Sequence, residues 1–125
     1  MSYRRVLIVE DDESLCRILK RNLTARGIET RCVESVTSGL QAIAAERPDL
    51  LVLDINLPDR SGWELLRSLR ARRIEIPTVV ISAARCTADR LEEFHPIANL
   101  PKPFPLEALL RLVVEREPTT TNALR

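Results

Sequence analysis

Four places in this chain carry residues that could do chemistry together. Glu10-Asp11-Asp12-Glu13 is an unbroken acidic run, Asp54 follows Leu50-Leu51-Val52-Leu53, Ser82 follows Thr78-Val79-Val80-Ile81, and Lys102 stands between Pro101 and Pro103. Carboxylates brought close together repel. At an effective dielectric near 20, two charges 4 Å apart cost about 4 kcal/mol. A hard divalent cation with oxygen ligands offsets that cost, and a site of few carboxylates that keeps waters and takes phosphate suits magnesium. A carboxylate, a cation, a hydroxyl and an ammonium form a phosphoryl-acceptor set. Asp54 would attack, magnesium and Lys102 would neutralise the equatorial oxygens, and Ser82 would donate a hydrogen bond. The choice of lysine is itself informative, because the chain has seventeen arginines and only two lysines, Lys20 and Lys102. A compact ammonium on a flexible stem suits that place better than a rigid fork.

These residues meet only if the elements before them lie side by side. Val6-Leu7-Ile8-Val9, Leu50 to Leu53 and Thr78 to Ile81 are short, continuous apolar runs, as expected of strands buried on both faces. Ile28 to Val33 and Ile97 to Leu100 are more polar or shorter and read as edge strands. Helical periodicity fills the gaps. Leu15, Ile18, Leu19 and Leu23 form one stripe that Gly27 can close, and Val36, Leu40, Ile43 and Ala44 form a second, ended by Pro48. Leu65, Leu66 and Leu69 carry a third helix after the turn residues Pro58, Asp59, Ser61 and Gly62. A weaker one runs from about Thr87 to Phe94, stopped by His95-Pro96. The last starts near Pro105, shows Leu106, Leu109, Leu110, Val113 and Val114 on one face, and ends at Pro118. Strict alternation of five strands and five helices predicts an α/β fold with one parallel sheet, right-handed crossovers and helices on both faces. With the three most apolar runs central, the doubly wound strand order is 2-1-3-4-5. In such sheets ligands bind beyond the carboxyl ends of the strands. Adjacent strands lie about 4.8 Å apart, so Asp11, Asp12 and Asp54 are expected to converge, with Lys102 reaching back from about 10 Å away.

The 125 residues fit one domain, and 45% apolar with 30% charged residues describes a chain that can close a core. No apolar run is long enough to span a membrane, and the start does not read as a signal peptide. Cys16, Cys32 and Cys86 have no metal-site spacing and cannot all pair, which fits a reduced, cytoplasmic setting. A net charge of +1 is too balanced for a dedicated nucleic-acid binder, and three glycines do not make a glycine-rich nucleotide cradle. The domain is expected over residues 1–117, with 118–125 a tail or the start of a linker.

Val6-Leu7-Ile8-Val9-Glu10-Asp11-Asp12, Leu51-Val52-Leu53-Asp54-Ile55-Asn56-Leu57-Pro58, Ile81-Ser82-Ala83 and Lys102-Pro103-Phe104 together resemble the response regulator receiver domain of two-component signalling, over about residues 3 to 117. The resemblance implies a CheY-like fold and a module phosphorylated on Asp54 by a histidine kinase or histidine phosphotransfer protein. It implies magnesium held by Asp12, Asp54 and the backbone carbonyl of Asn56, with Asp11 acting mainly through water. Ser82 would be the switch hydroxyl, Lys102 the phosphate-pairing lysine, and the Lys102–Pro103 bond cis. The implied product is a changed protein–protein interaction with a downstream effector or fused output domain, in a monomer or a weak, phosphorylation-dependent dimer. Autophosphorylation and autodephosphorylation are implied, but no turnover of an external substrate. This sequence departs from the family where Asn99 replaces a common aromatic three residues before the lysine. It departs again where His95-Pro96 stands in place of a helix-ending glycine, in a segment about two residues short.

Other readings compete. Glu10 to Glu13 could be a solvated helix start favoured by the dipole, and Asp54 a strand-end turn former. Ser82 could be a simple cap and Lys102 a surface lysine. His95 reads as a helix-end residue, Cys86 as an inert small residue, Trp63 as partly packed, and Arg70, Arg72 and Arg73 as a solvated helix end. For the whole chain, a receiver-like interaction module working without phosphorylation is one alternative. An aspartyl-phosphate phosphatase of the dehalogenase-like type is the other, but it needs a second aspartate where Asn56 stands. No helix-turn-helix can follow in the last eight residues, so nucleic-acid binding through this chain is not expected.

Overall fold

The computed structural model describes residues 3–115. The elements run β1 (Arg5–Val9), α1 (Glu13–Thr24), β2 (Glu29–Val33), α2 (Val36–Ala45), β3 (Leu50–Asp54), α3 (Gly62–Ala71), β4 (Thr78–Ser82), α4 (Ala88–Phe94), β5 (Ala98–Pro101) and α5 (Leu106–Leu110), which widens into a π-helical turn over Arg111–Glu115. All pairings are parallel and the order is β2-β1-β3-β4-β5, the expected doubly wound sheet. β3 and β4 are buried along their whole length, while β2 and β5 are not. Apolar content thus ranked the strands from centre to edge.

Alternation along the central strands builds two cores. Val6, Ile8, Val52 and Ile81 face α1 and α5, where Leu19, Leu23, Leu109 and Val113 close over them. Leu7, Val9, Leu53 and Val80 face the other way, against Val36 and Ile43 of α2 and Leu65 and Leu69 of α3. Local signals fix the helix starts. Asp12, Ser35, Ser61 and Thr87 each cap a helix by accepting a backbone N–H. Gly27 adopts φ +81 in the turn after α1, a conformation that favours glycine.

Several expected details differ. Ile18 is 47% exposed, because about 100° per residue puts Leu15, Cys16, Leu19 and Leu23 on one arc and Ile18 off its edge. In α2 the buried positions are Val36, Gly39 and Ile43, and Ala44 faces solvent. β2 begins one residue later than expected and β5 is shifted one residue onward. The expected end of the last helix at Pro118 and the domain boundary at 117 lie outside the described residues.

Candidate functional site

The carboxyl edge of the sheet gathers the chemistry-bearing side chains. Asp54 and Ser82 are the last residues of β3 and β4, 2% and 4% exposed. The Glu10 N–H donates to Val33 O at 2.9 Å, so the sheet's hydrogen bonding carries one residue past β1. Glu10 shares the parity of Val6 and Ile8 and its side chain is buried. Lys102 follows β5, its N–H donating to Ser82 O at 2.7 Å, and the Lys102–Pro103 bond is cis. α3 begins hard against the end of β3. A Cβ on Gly62 would lie 2.5 Å from Asp54 O and 2.9 Å from Ile55 Cα, so only glycine lets the helix start there.

Lys102 Nζ lies 2.7 Å from Glu10 Oε1 and 3.1 Å from Asp54 Oδ2. Asp54 Oδ1 accepts the Asn56 N–H at 2.9 Å, and Glu10 Oε2 accepts the Asp12 N–H at 3.1 Å. Burial pushes the Glu10 carboxyl up to about 7; Asp54 beside it adds to the rise, while Lys102 and the Asp12 amide oppose it. Burial works to discharge Lys102, but the Glu10 and Asp54 carboxylates outweigh it and hold the ammonium above its ordinary range.

The acidic cluster is displaced by one residue from the expected one. Oxygens of Glu10, Asp11 and Asp54 lie within 4.8 Å of one another, whereas Asp12 turns its carboxylate to the Leu15 N–H as the cap of α1. The reason is local. The helix needs a cap at the residue before Glu13, and Asp is among the best. That capping pattern, together with the strand parity of Glu10, was present in the sequence and pointed to this arrangement. Ser82 is close to the site but spends its hydroxyl on its own turn, donating to Ala84 O at 2.6 Å and accepting from Ala84 N at 3.1 Å. Asn56 Oδ1 lies 3.3 Å from both Ser82 Oγ and the Ala83 N–H, tying the ends of β3 and β4 together.

The donor set fits a hard divalent cation. It is all oxygen, it is crowded, and at 4.8 Å each pair of ionised carboxylates repels by about 3 kcal/mol. One ammonium cannot neutralise all three. Asp11, on the exposed rim, has no ion-pair partner among the described residues.

The other candidate residues take no part in these contacts. Asn99 is exposed on β5, in register with Val80. His95 ends α4 in the left-handed region at φ 48, taking the place of a helix-ending glycine. Trp63 is buried and stacks on Phe94 with centroids 5.4 Å apart, and Arg70 lies 4.6 Å over the same ring. Cys86 is half-buried.

The model of the response regulator receiver domain family matches residues 6–114. Among curated relatives, the response regulator MprA of Mycobacterium ulcerans and that of Mycobacterium tuberculosis are each 36% identical over 108 residues, covering 85% of this chain and 47% of theirs. The chain thus spans about half the length of these relatives. Among solved structures, a CheY-like receiver domain from Methanospirillum hungatei superposes with a TM-score of 0.82 at 28% identity, covering 91% of this chain and 93% of that one. The non-phosphorylated HemR receiver domain of Leptospira biflexa gives 0.80 at 28%, covering 94% and 99%. With four strand-end motifs, the 2-1-3-4-5 sheet and these matches in agreement, the chain belongs to the response regulator receiver domain family.

Proposed function

We propose that this chain is a phospho-acceptor module, taking a phosphoryl group onto Asp54 from a histidine kinase or histidine phosphotransfer protein and changing its protein contacts in response. The observation that carries the reading is the single ammonium of Lys102 held 3.1 Å from Asp54 and 2.7 Å from Glu10 at the open edge of the sheet. Magnesium would be held by Asp11, Asp54 and the backbone carbonyl of Asn56, with Glu10 behind them. When bound it supplies positive charge for the equatorial phosphoryl oxygens and relieves the repulsion among the acids. Asp54 is oriented by the Asn56 N–H and by Lys102. An Asp54 carboxylate oxygen forms the new bond to phosphorus as the phosphorus–nitrogen bond of a phosphohistidine breaks, and the imidazole nitrogen keeps the electron pair. Lys102 then exchanges its contact with Asp54 for a phosphoryl oxygen. Ser82 leaves Ala84 O and donates to another oxygen, which shifts a two-state equilibrium in the loop after β4.

No external substrate is turned over in this scheme. A cytoplasmic setting is part of the same proposal and rests on the three free cysteines. The chain would act as a stand-alone receiver or, given relatives about twice its length, as the receiver part of a longer regulator with an output domain. Residues 1–117 would form the receiver.

Incubation with magnesium and acetyl phosphate, followed by intact mass measurement, tests the reading. The expected result is a gain of one phosphoryl group, lost with Asp54→Asn and without magnesium. No mass gain, or a gain that survives Asp54→Asn, would overturn it.

A further inference from the structure

A second cluster of reactive side chains lies beside the acidic pocket without belonging to it. Cys16 on the buried arc of α1 faces Cys32 on the edge strand β2. The Cys32 thiol donates to Cys16 O at 3.8 Å, which sets its sulfur beside the other cysteine. Both are half-buried and free. Both line an open cavity of about 480 Å³, together with Lys20, Arg17 and Glu34. Two details set this pair apart from cysteines that serve only as small apolar filler. The Cys32 sulfur lies against the Cys16 backbone, and both residues line the same open cavity.

We propose that Cys16 and Cys32 form a redox modification site, closing to an intramolecular disulfide when a hydroperoxide enters the cavity they share. One thiol, as its thiolate, attacks the peroxide. A sulfur–oxygen bond forms, the oxygen–oxygen bond breaks, and the alcohol (or water, from hydrogen peroxide) leaves with the thiol's proton. The second thiolate attacks the resulting sulfenic acid at sulfur, and water leaves as the sulfur–sulfur bond forms. Two thiols are oxidised by two electrons and one hydroperoxide is reduced. Cys32 suits the first step. Its thiol is held below the ordinary range, first by the Cys16 thiol beside it and then by the Lys20 ammonium, against the opposing effect of burial. Cys16 meanwhile donates to Glu10 O at 3.4 Å, a bond it gives up on closing the disulfide. The product staples α1 to β2 next to Glu10 and Asp11. Cys86, half-buried and with its thiol raised by burial, has no such neighbour among the described residues and serves as the internal control.

The test is stoichiometric hydrogen peroxide on the folded chain, then unfolding, alkylation and peptide mass mapping. The expected product is a Cys16–Cys32 cross-linked peptide, with Cys86 still alkylated, and dithiothreitol restores alkylation at all three sites. A parallel reaction in denaturant should lose this selectivity. Cys32→Ser is expected to abolish the cross-link, while Cys86→Ser leaves it unchanged. The proposal is overturned if peroxide leaves both residues alkylatable, takes either to sulfinic acid without a cross-link, or joins chains through Cys86. None of these outcomes bears on Asp54 phosphorylation, which is read separately.

Discussion

Asp11 sits at the rim of a pocket already holding two other carboxylates, while Lys102 pairs with those two. Its charge is therefore a cost to the metal-free fold. Asp11→Asn is expected to raise stability by about 1 kcal/mol in chelator, after allowing for its exposure. The same variant should lose most of the stabilisation that magnesium gives the wild-type protein. Thermal unfolding with and without magnesium checks both. At this scale the sequence was only partly legible. The residue types and their place beyond the strand ends picked out Asp54, Ser82 and Lys102 for the same edge. They put Asp12 where Glu10 belongs, because four acids in a row give no composition signal for which one faces inward. Strand parity and the cap of α1 decide that, and both depend on where β1 stops.

α2 and α3 are locked together by contacts that no periodicity reveals. Asp59, in the loop after β3, accepts the Val36 N–H at 2.9 Å and the Thr37 N–H at 3.0 Å, so it anchors the start of α2 from a distant turn. The Val36 amide foremost, with the Thr37 amide and hydroxyl, lowers its carboxyl from the ordinary 3.8 to about 2. A depressed carboxyl contributes stability that is present above the unfolded value and lost on acidification. Urea midpoints of the wild-type protein should therefore fall between pH 4 and pH 2 more steeply than those of Asp59→Asn. Gly62→Ala presses a methyl group onto backbone atoms of Asp54 and Ile55 and should cost about 1–3 kcal/mol by displacing α3. Gly39→Ala meets the ends of Leu65 and Val9 side chains, which can turn aside, and should cost less in the same chemical denaturation series. α4 has no buried residue of its own. It is held through Phe94, between Trp63 and the Arg67 and Arg70 guanidiniums, with Glu93 paired to both arginines. Phe94→Ala should raise amide hydrogen exchange across α4 while leaving β4 protected.

For the whole molecule, the alternation of apolar runs and helical stripes carried nearly all the architecture. Buried parallel strands need continuous apolar runs and edges do not, so centre and rim could be ranked before any pairing was known. What escaped was geometry set by single turns: the one-residue shift of β5 and the widening of α5. Each depends on side-chain packing between elements, on which hydrophobic spacing is silent. The proposed function turns on whether the acidic edge holds a cation. Calorimetric titration of magnesium into the metal-free protein measures that directly. One ion per chain is expected, with binding lost in both Asp11→Asn and Asp54→Asn and retained in Asp12→Asn. Absent binding, or binding indifferent to Asp11 and Asp54, would contradict the proposed function.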